Sequence, residues 1–427
     1  MNSKNMLPEG WEIRKLGEVI HYKKGFAFKS GDYQKEGVRI IRVSDINFDS
    51  IKEEGNIFIS RDMAGKYKDY ELHTDDIIIA TVGSRPPLYD SMVGKATIVS
   101  EQYEGTLLNQ NAVKVFANQT NDSRFIYNHL KTFRYVRYIE TLIRGNANQV
   151  SITLEELFDF DLILPPLAEQ KKIAKILSVW DIAIGQTEKL IAFKVRQKRG
   201  LMQQLLTGRK RLQKFAAQEW KQVHLYEIVK DVIRPVTWDD DELYKLASVR
   251  RWSGGLFLRE SLYGRQIKVK KLKTICEGDF LISHIQSAYG AMAIVPEGFD
   301  DTKVSELYTC LTPIDENKFD MRFLYYLSQT PHLWHMAYMA SNGFFAERLR
   351  LNFNPEEFLK TKVLIPACIE EQRHIIAILE TCDKEVELLS KHLDALKRQK
   401  RGLMQKLLTG QIRVKVDDFE AAVVEAG

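Results

Sequence analysis

Residues 198–208 read KRGLMQQLLTG, and residues 400–410 read KRGLMQKLLTG. Ten of the eleven positions are identical at an offset of 202. The same offset carries Glu169-Gln170 onto Glu371-Gln372, Ile173 onto Ile375, Ile176-Leu177 onto Ile378-Leu379 and Asp181 onto Asp383, so about forty residues repeat without insertion. An internal repeat of this kind sets the architecture before any single element is assigned. Upstream the copies diverge but keep landmarks. Trp11 and Leu16 answer to Trp220 and Leu225, Asp76 to Asp279, Asp122–Leu130 to Asp320–Leu327, and Glu155-Glu156-Leu157 to Glu356-Glu357-Phe358. One scaffold therefore carries two different surfaces.

The repeated segment predicts a long helix. Ile173, Ile176, Leu177, Trp180, Ile184 and Ile191 recur at three- and four-residue spacing, as do Ile375, Ile378, Leu379, Cys382, Val386, Leu389, Leu393 and Leu396. Pro165-Pro166 and Pro366 precede the two starts, Glu169 and Glu371 suit the positive end of a helix dipole, and Gly208 and Gly410 follow the last leucines. Forty residues at ~1.5 Å each make a rod of roughly 60 Å that needs a partner. Either each stripe packs on its own domain, or the two near-identical stripes pair with each other, antiparallel across an internal two-fold. Gly200 and Gly402, identically placed inside the helices, suggest close helix approach.

Between these helices the chain reads as mixed α and β. Val38–Val43, Asp76–Val82, Ala96–Val99 and Ala112–Phe116 predict strands, and Phe125–Leu142 and Met321–Met339 predict helices. The divisions expected are a first domain over 1–166, a helix over 167–208, a second domain over 209–366, a helix over 367–410 and a tail over 411–427. The fold class is α+β: two mixed α/β domains separated by two long antiparallel helices, a coiled-coil spacer, with an internal pseudo-two-fold repeat.

Composition narrows the functions. The 427 residues are 44% hydrophobic and 28% charged, which is ordinary globular usage for two or three domains. A formal charge of only +5 means that a polyanionic partner must be met by clustered basicity. Cys276, Cys310, Cys368 and Cys382 contain no C-x-x-C pair, which fits reduced thiols and a cytoplasmic setting without zinc. The start of the chain, Met1 to Lys15, is polar, unlike a secretory signal. A methyltransferase needs a Gly-rich cofactor loop and an Asn or Asp followed by Pro-Pro and an aromatic. Neither occurs, and no Walker loop or nucleophile elbow is present. His332 and His335 lack a third ligand and read as part of a packed helix, so no metal is expected. Catalysis by this chain alone is not expected.

What remains are loops suited to nucleic acid. Arg reads guanine, and Asn or Gln reads adenine, in the major groove. In the first half the candidates are Lys24 and Lys29 in a stretch that interleaves cations with Phe26 and Phe28, Ser84 and Arg85 after a strand, Asn109 and Gln110 in an amide-rich turn, and Arg144, Asn146 and Asn148 in another. The second-half counterparts are Arg250 and Arg251, His284, Gln286 and Tyr289, and Asn342, Phe344 and Arg348. Taken singly, any of these also reads as turn chemistry or a solvated face. Basic runs at the helix ends (Lys194, Arg196, Lys198, Arg199, Arg209, Lys210 and Arg211, with Lys397, Arg398, Lys400, Arg401 and Arg413) either touch phosphates or face solvent or a protein partner.

At this point the sequence resembles the specificity subunits of type I restriction-modification systems. The resemblance is carried by GWEIRKLGEV at Gly10–Val19, by Gly25–Tyr33, Ile40–Ile46 and Asp76–Ala80, and by two Pro-x-x-Glu-Gln-type helices ending in Leu-Leu-Thr-Gly. It covers essentially the whole chain and departs at Val232–Asp240, which has no equivalent of the Gly-Phe-Ala-Phe stretch. It implies that each divergent domain is a target recognition domain and that the chain binds double-stranded DNA with a bipartite, asymmetric target. It also implies two methyltransferase subunits and restriction/translocase subunits as partners, with S-adenosylmethionine, ATP and magnesium belonging to them and no cofactor in this chain. Two other readings compete with it: an orphan methyltransferase or nuclease with built-in recognition, disfavoured because the two repeats use the whole chain, and a coiled-coil scaffold without a DNA role.

Overall fold

The structure, a computed structural model, describes residues 7–48, 50–143, 149–342 and 352–416. It divides into two compact units, Met1–Thr187 with His392–Gly427, and Glu188–Lys391.

In the first unit β1 (Glu12–Lys15) pairs antiparallel with β11 (Asp161–Leu164), joining the start of the globular part to its end. A four-stranded antiparallel sheet has the order β2 (Ile20–Lys24), β9 (Ala112–Ala117), β5 (Ile77–Ala80), β7 (Ala96–Ile98). A second sheet sets β3 (Val38–Ile41) between β4 (Ile57–Ile59) and β8 (Leu107–Leu108), the last pairing being parallel. The short strands β6 (Val82–Gly83) and β10 (Val150–Ser151) pair with each other. Helices α1 (Arg61–Ala64), α2 (Ser123–Leu130), α3 (Phe133–Leu142) and α4 (Leu154–Phe158) complete the part that precedes α5 (Leu167–Leu205).

The second unit repeats this plan. Here β12 (Trp220–His224) pairs with β23 (Lys362–Pro366), and the four-stranded sheet has the order β13 (Val229–Asp231), β20 (Tyr308–Pro313), β17 (Phe280–Ser283), β18 (Met292–Ile294). The other sheet has the order β15 (Leu256–Tyr263), β14 (Leu243–Val249), β19 (Lys303–Ser305), β16 (Leu272–Thr274), again with one parallel pairing. The strands β21 (Ser341–Asn342) and β22 (Asn352–Phe353) pair beside α6 (Leu225–Ile228), α7 (Met321–Leu327), α8 (Pro331–Met339) and α9 (Pro355–Leu359), and α10 (Ile369–Leu408) follows.

Where single helices are predicted over Phe125–Leu142 and Met321–Met339, each is split into two. Thr132 caps the new helix by accepting from the Tyr135 N–H, and Pro331 stands in the first turn of α8, where its missing N–H costs nothing. The Leu-Leu-Thr-Gly ends leave the helix through Gly208 and Gly410 at φ 67° and 72°, a left-handed exit that glycine enters without strain.

Both readings of the long helices hold in part. In the first unit Ile173, Ala174 and Leu177 from the start of α5 share a core with Met404, Leu407 and Leu408 from the end of α10, and with Trp11, Leu16, Phe125 and Leu157. In the second unit Ile375, Ile376 and Leu379 meet Met202, Leu205 and Leu206 over Leu225, Phe323 and Phe358. The stripes thus pack on their own domains and on each other, antiparallel within each unit. Ion pairs follow the same symmetry: Lys400 reaches Asp181 in the first unit, and Lys198 reaches Asp383 in the second, both at 2.5 Å. Gly200 and Gly402 correct an expectation, since a side chain added at either would meet open space. Helix contact within the chain does not require them.

The repeated Glu-Gln pair explains itself in bonds. Gln170 accepts from the Asp122 N–H at 3.0 Å and donates to the Pro165 carbonyl at 2.9 Å. Gln372 accepts from the Asp320 N–H and donates to the Pro366 carbonyl, both at 3.0 Å. Glu169 accepts from the Trp11 indole at 3.2 Å and from Arg413 at 2.9 Å. Glu371 accepts from the Trp220 indole at 3.2 Å and from Arg211 at 2.9 and 3.0 Å. Each Trp-Glu-Arg latch ties a domain's first strand, its long helix and the segment after the other helix into one joint.

Candidate nucleic-acid interface

In the first unit the candidates gather on loops at strand ends. Phe26 N donates to the Leu108 carbonyl and Gln110 N to the Phe26 carbonyl, which lays Gly25–Phe28 beside Asn109–Asn111. The approach is so close that a Cβ on Gly25 would stand 1.9 Å from the Asn109 carbonyl oxygen. Lys24, Lys29 and Gln110 are exposed. Asn109 is buried, and its amide oxygen accepts from the Gln110 N–H at 2.7 Å, a turn bond. The aromatics interleaved with these cations are not free platforms for bases: Phe26 and Phe28 pack against each other and Tyr67, with centroids about 5 Å apart.

Ser84 and Arg85 open a loop closed by Ser84 N to the Ser91 carbonyl and Val93 N to the Ser84 carbonyl. Strand β6 delivers them, and it pairs with β10. Two guanidinium nitrogens of Arg85, Nε and Nη2, are buried with no hydrogen-bond partner among the described residues. A buried, unpaired donor on a cation costs free energy unless a further acceptor arrives. Arg144, Asn146 and Asn148 lie outside the described residues, as do Phe344 and Arg348. Asn342 is the second residue of β21, and its side chain is likewise not described.

In the second unit the hairpin turn between β14 and β15, the loop after β17 and helix α8 converge. Trp252 N donates to the Tyr289 carbonyl and Ser253 N to the Gly290 carbonyl, which holds the hairpin tip against the loop. Trp252 and Ser253 adopt φ 58° and 51°, a left-handed pair of non-glycine residues and hence a strained tip. Trp252 remains 59% exposed while its ring edge meets Trp334 at 5.3 Å. Arg250 lies over Phe257 at 4.4 Å and Arg251 over Tyr289 at 4.7 Å, so both exposed guanidiniums are held by aromatic faces. His284 Nε2 bonds Thr309 Oγ1 at 2.8 Å, and burial, with the Lys273 charge, pushes its pKa below the usual imidazole value. The ring is therefore neutral near pH 7. Gln286 is half-buried, and its carbonyl takes the Tyr289 N–H.

Sequence reasoning passed over a buried lysine, Lys95, that follows Met92-Val93-Gly94. A charge inside an apolar strand run was the available signal. Five of the twelve helix-end cations form ion pairs inside their unit, while Arg196, Arg199, Arg209, Lys210, Lys397, Arg398 and Arg401 are exposed. Lys194 pairs with Glu385, Lys198 with Asp383, Arg211 with Glu371, Lys400 with Asp181 and Arg413 with Glu169. Among the described residues no group of three or more His, Cys, Asp or Glu could hold a metal ion, and no helix is long and apolar enough to cross a membrane.

Residues 8–192 and 219–398 match the family described as the type I restriction modification DNA specificity domain. The type I restriction enzyme MjaVIII specificity subunit of Methanocaldococcus jannaschii is 24% identical over 455 residues, spanning 97% of this chain and 95% of its own. The type I restriction enzyme EcoBI specificity subunit of Escherichia coli is 24% identical over 453 residues, spanning 95% of this chain and 85% of its own. A solved structure, the S subunit of a type I restriction-modification system from M. genitalium, shares the fold with a TM-score of 0.61 at 15% identity, over 96% of this chain and 98% of that one.

Proposed function

The chain belongs to the type I restriction modification DNA specificity domain family, and from that premise we propose that it is the subunit that reads a bipartite, asymmetric DNA target for a type I restriction-modification complex. The observation that carries this reading is internal. One frame, repeated with the same latches, presents different side chains at its strand-end loops: Ser84 and Arg85 after β6 in one unit; Gln286 and Tyr289 after β17, with Arg250 and Arg251 after β14, in the other. Two frames with unlike loops suit two unlike half-sites. Arg85 supplies a guanidinium on a strand-end loop, a group that suits a guanine edge, and the aromatic-backed Arg250 and Arg251 are pre-aimed for base or phosphate.

Catalysis belongs to partners in this reading. Methyltransferase subunits supply S-adenosylmethionine chemistry, and restriction/translocase subunits use ATP and magnesium. Exposed apolar side chains on the long helices suit docking of such subunits: Val179 and Ile182 in the first unit, and Leu190, Phe193 and Leu388 in the second. The test is a genome-wide map of methylated bases in cells that carry this chain with its methyltransferase partner, beside a methyl-transfer assay on the isolated chain. A two-part asymmetric motif that disappears when this chain is omitted is the expected result. Methyl transfer by the pure chain overturns the division of labour.

A further inference from the structure

Three successive backbone carbonyls in the first unit accept side-chain hydrogen bonds from one strand and one helix end. Ile46 O takes Lys95 Nζ at 2.5 Å, Asn47 O takes Thr97 Oγ1 at 2.9 Å, and Phe48 O takes Lys131 Nζ. Lys95 Nζ also donates to the Asp90 carbonyl at 2.7 Å, in the turn that closes the Arg85 loop. The two loops touch again where the Phe48 ring meets Tyr89 edge-on at 5.7 Å. Lys95 is 3% exposed and Thr97 1%. Burying an ammonium is costly, so a lysine is a poor choice here unless its several donors do something an apolar residue cannot, namely gather carbonyls from two loops at once.

The second unit supplies a control. Gly94-Lys95-Ala96-Thr97-Ile98 corresponds to Gly290-Ala291-Met292-Ala293-Ile294: both glycines are left-handed, at φ 77° and 64°, and both segments enter the edge strand beside the sheet's equivalent partner. Ala291 and Ala293 stand where Lys95 and Thr97 would, fully buried and without a donor. The hairpin tip, through Trp252 against Tyr289, braces the loop there instead.

We propose that Lys95, with Thr97, is a positioning residue for base reading in the first half-site alone, fixing the Arg85 loop against the Ile46–Phe48 turn. The proposal rests on Arg85 as a base reader. Its test is methylation mapping with the full chain and its methyltransferase partner, scoring base preference at every position of both half-sites. Lys95→Met keeps the length of the stem but removes the ammonium, Thr97→Val keeps the shape but removes the hydroxyl, and Thr97→Ser restores the donor. Lys95→Met and Thr97→Val are expected to relax the position that Arg85→Ala relaxes, roughly fivefold to tenfold. Thr97→Ser and the second half-site should keep the parent preferences. Should Arg85→Ala relax a position that Lys95→Met and Thr97→Val leave intact, the clamp is wrong. Weaker modification with unchanged preferences marks Lys95 as a fold residue only and also overturns it. If Lys95→Met relaxes a position while Arg85→Ala changes nothing, the clamp stands and another residue of its loop is the reader; if neither acts, both ideas fail. Loss of soluble Lys95→Met leaves the decision to the Thr97→Val and Thr97→Ser pair.

Discussion

The two latches offer a comparison that a single-copy protein lacks. Glu371 is fully buried and holds Arg211, only 24% exposed, through two hydrogen bonds of 2.9 and 3.0 Å. Glu169 is equally enclosed, but Arg413 is 47% exposed and makes one good bond of 2.9 Å and one long one of 3.4 Å. Removing one partner of a buried pair leaves the other uncompensated and costs about 3 to 5 kcal/mol, whereas a pair open to water contributes ~0 to 1 kcal/mol. A double-mutant cycle of Glu371→Ala with Arg211→Ala should therefore give a coupling of roughly 2 to 3 kcal/mol. The matching cycle of Glu169→Ala with Arg413→Ala should give about 1 kcal/mol or less. Because two units need not unfold together, the assay is hydrogen exchange in graded urea, read on peptides over 167–177 and 369–379. Equal couplings in the two latches, or a coupling below ~0.5 kcal/mol at Arg211–Glu371, would refute the burial argument.

Residues 1–214 contain Lys198, Met202, Leu205, Leu206 and Arg211, twins of the residues with which α10 and its tail complete the first unit. That fragment should pair with itself, and light scattering that shows only monomer would refute the repeat as a true two-fold. Arg85→Ala should cost ~1 to 3 kcal/mol of discrimination at one first-half position; uniform weakening across competitor duplexes would mark a phosphate contact instead. Burial, with the nearby Lys52 charge, lowers Lys95 from 10.5 to about 8, against weaker opposing effects of Asp90 and Asp45. Between these values the unfolded chain binds the extra proton, so this group's contribution to stability rises with pH, by up to ~3 kcal/mol, and Lys95→Met should flatten that rise in urea midpoints taken from pH 7.5 to 10.

The sequence made the frame legible because the frame is built from identical residues making identical bonds. Glu-Gln at the helix start, the Trp near each domain's first strand and the Asp heading α2 and α7 all recur, and each is found in the same hydrogen bond twice. Helix breaks were less visible. Thr132 looks like an ordinary helix residue until its hydroxyl is seen to cap Tyr135, although Pro331 was a readable stop. Candidate loop residues resisted reading because their neighbours are remote in sequence. Phe26 and Phe28 stand between lysines in the sequence, yet their partner is Tyr67, some forty residues away. Lys95 finds its acceptor 49 residues upstream, a distance no local pattern encodes.

The same contrast runs through the buried carboxylates and shows how one frame tolerates two recognition surfaces. Asp76 and Asp279 each stand before the central strand of their sheet and accept from a backbone N–H three residues earlier, His73 in one copy and Cys276 in the other. Their cations come from different places. Lys114 of β9 approaches Asp76 at 3.4 Å, while Arg234, after β13, grips Asp279 at 2.6 and 3.0 Å. The backbone bond, which fixes the turn, is common to both copies. The charge partner is free to differ because any cation brought into reach offsets the cost of a buried carboxylate. Where a bond fixes the path of the chain, both copies keep it; where it only balances a charge or braces a loop, each copy has its own solution. Loop sequences can thus change what they read without disturbing the latches that join domain to helix, and this separation lets two halves of one chain hold two specificities.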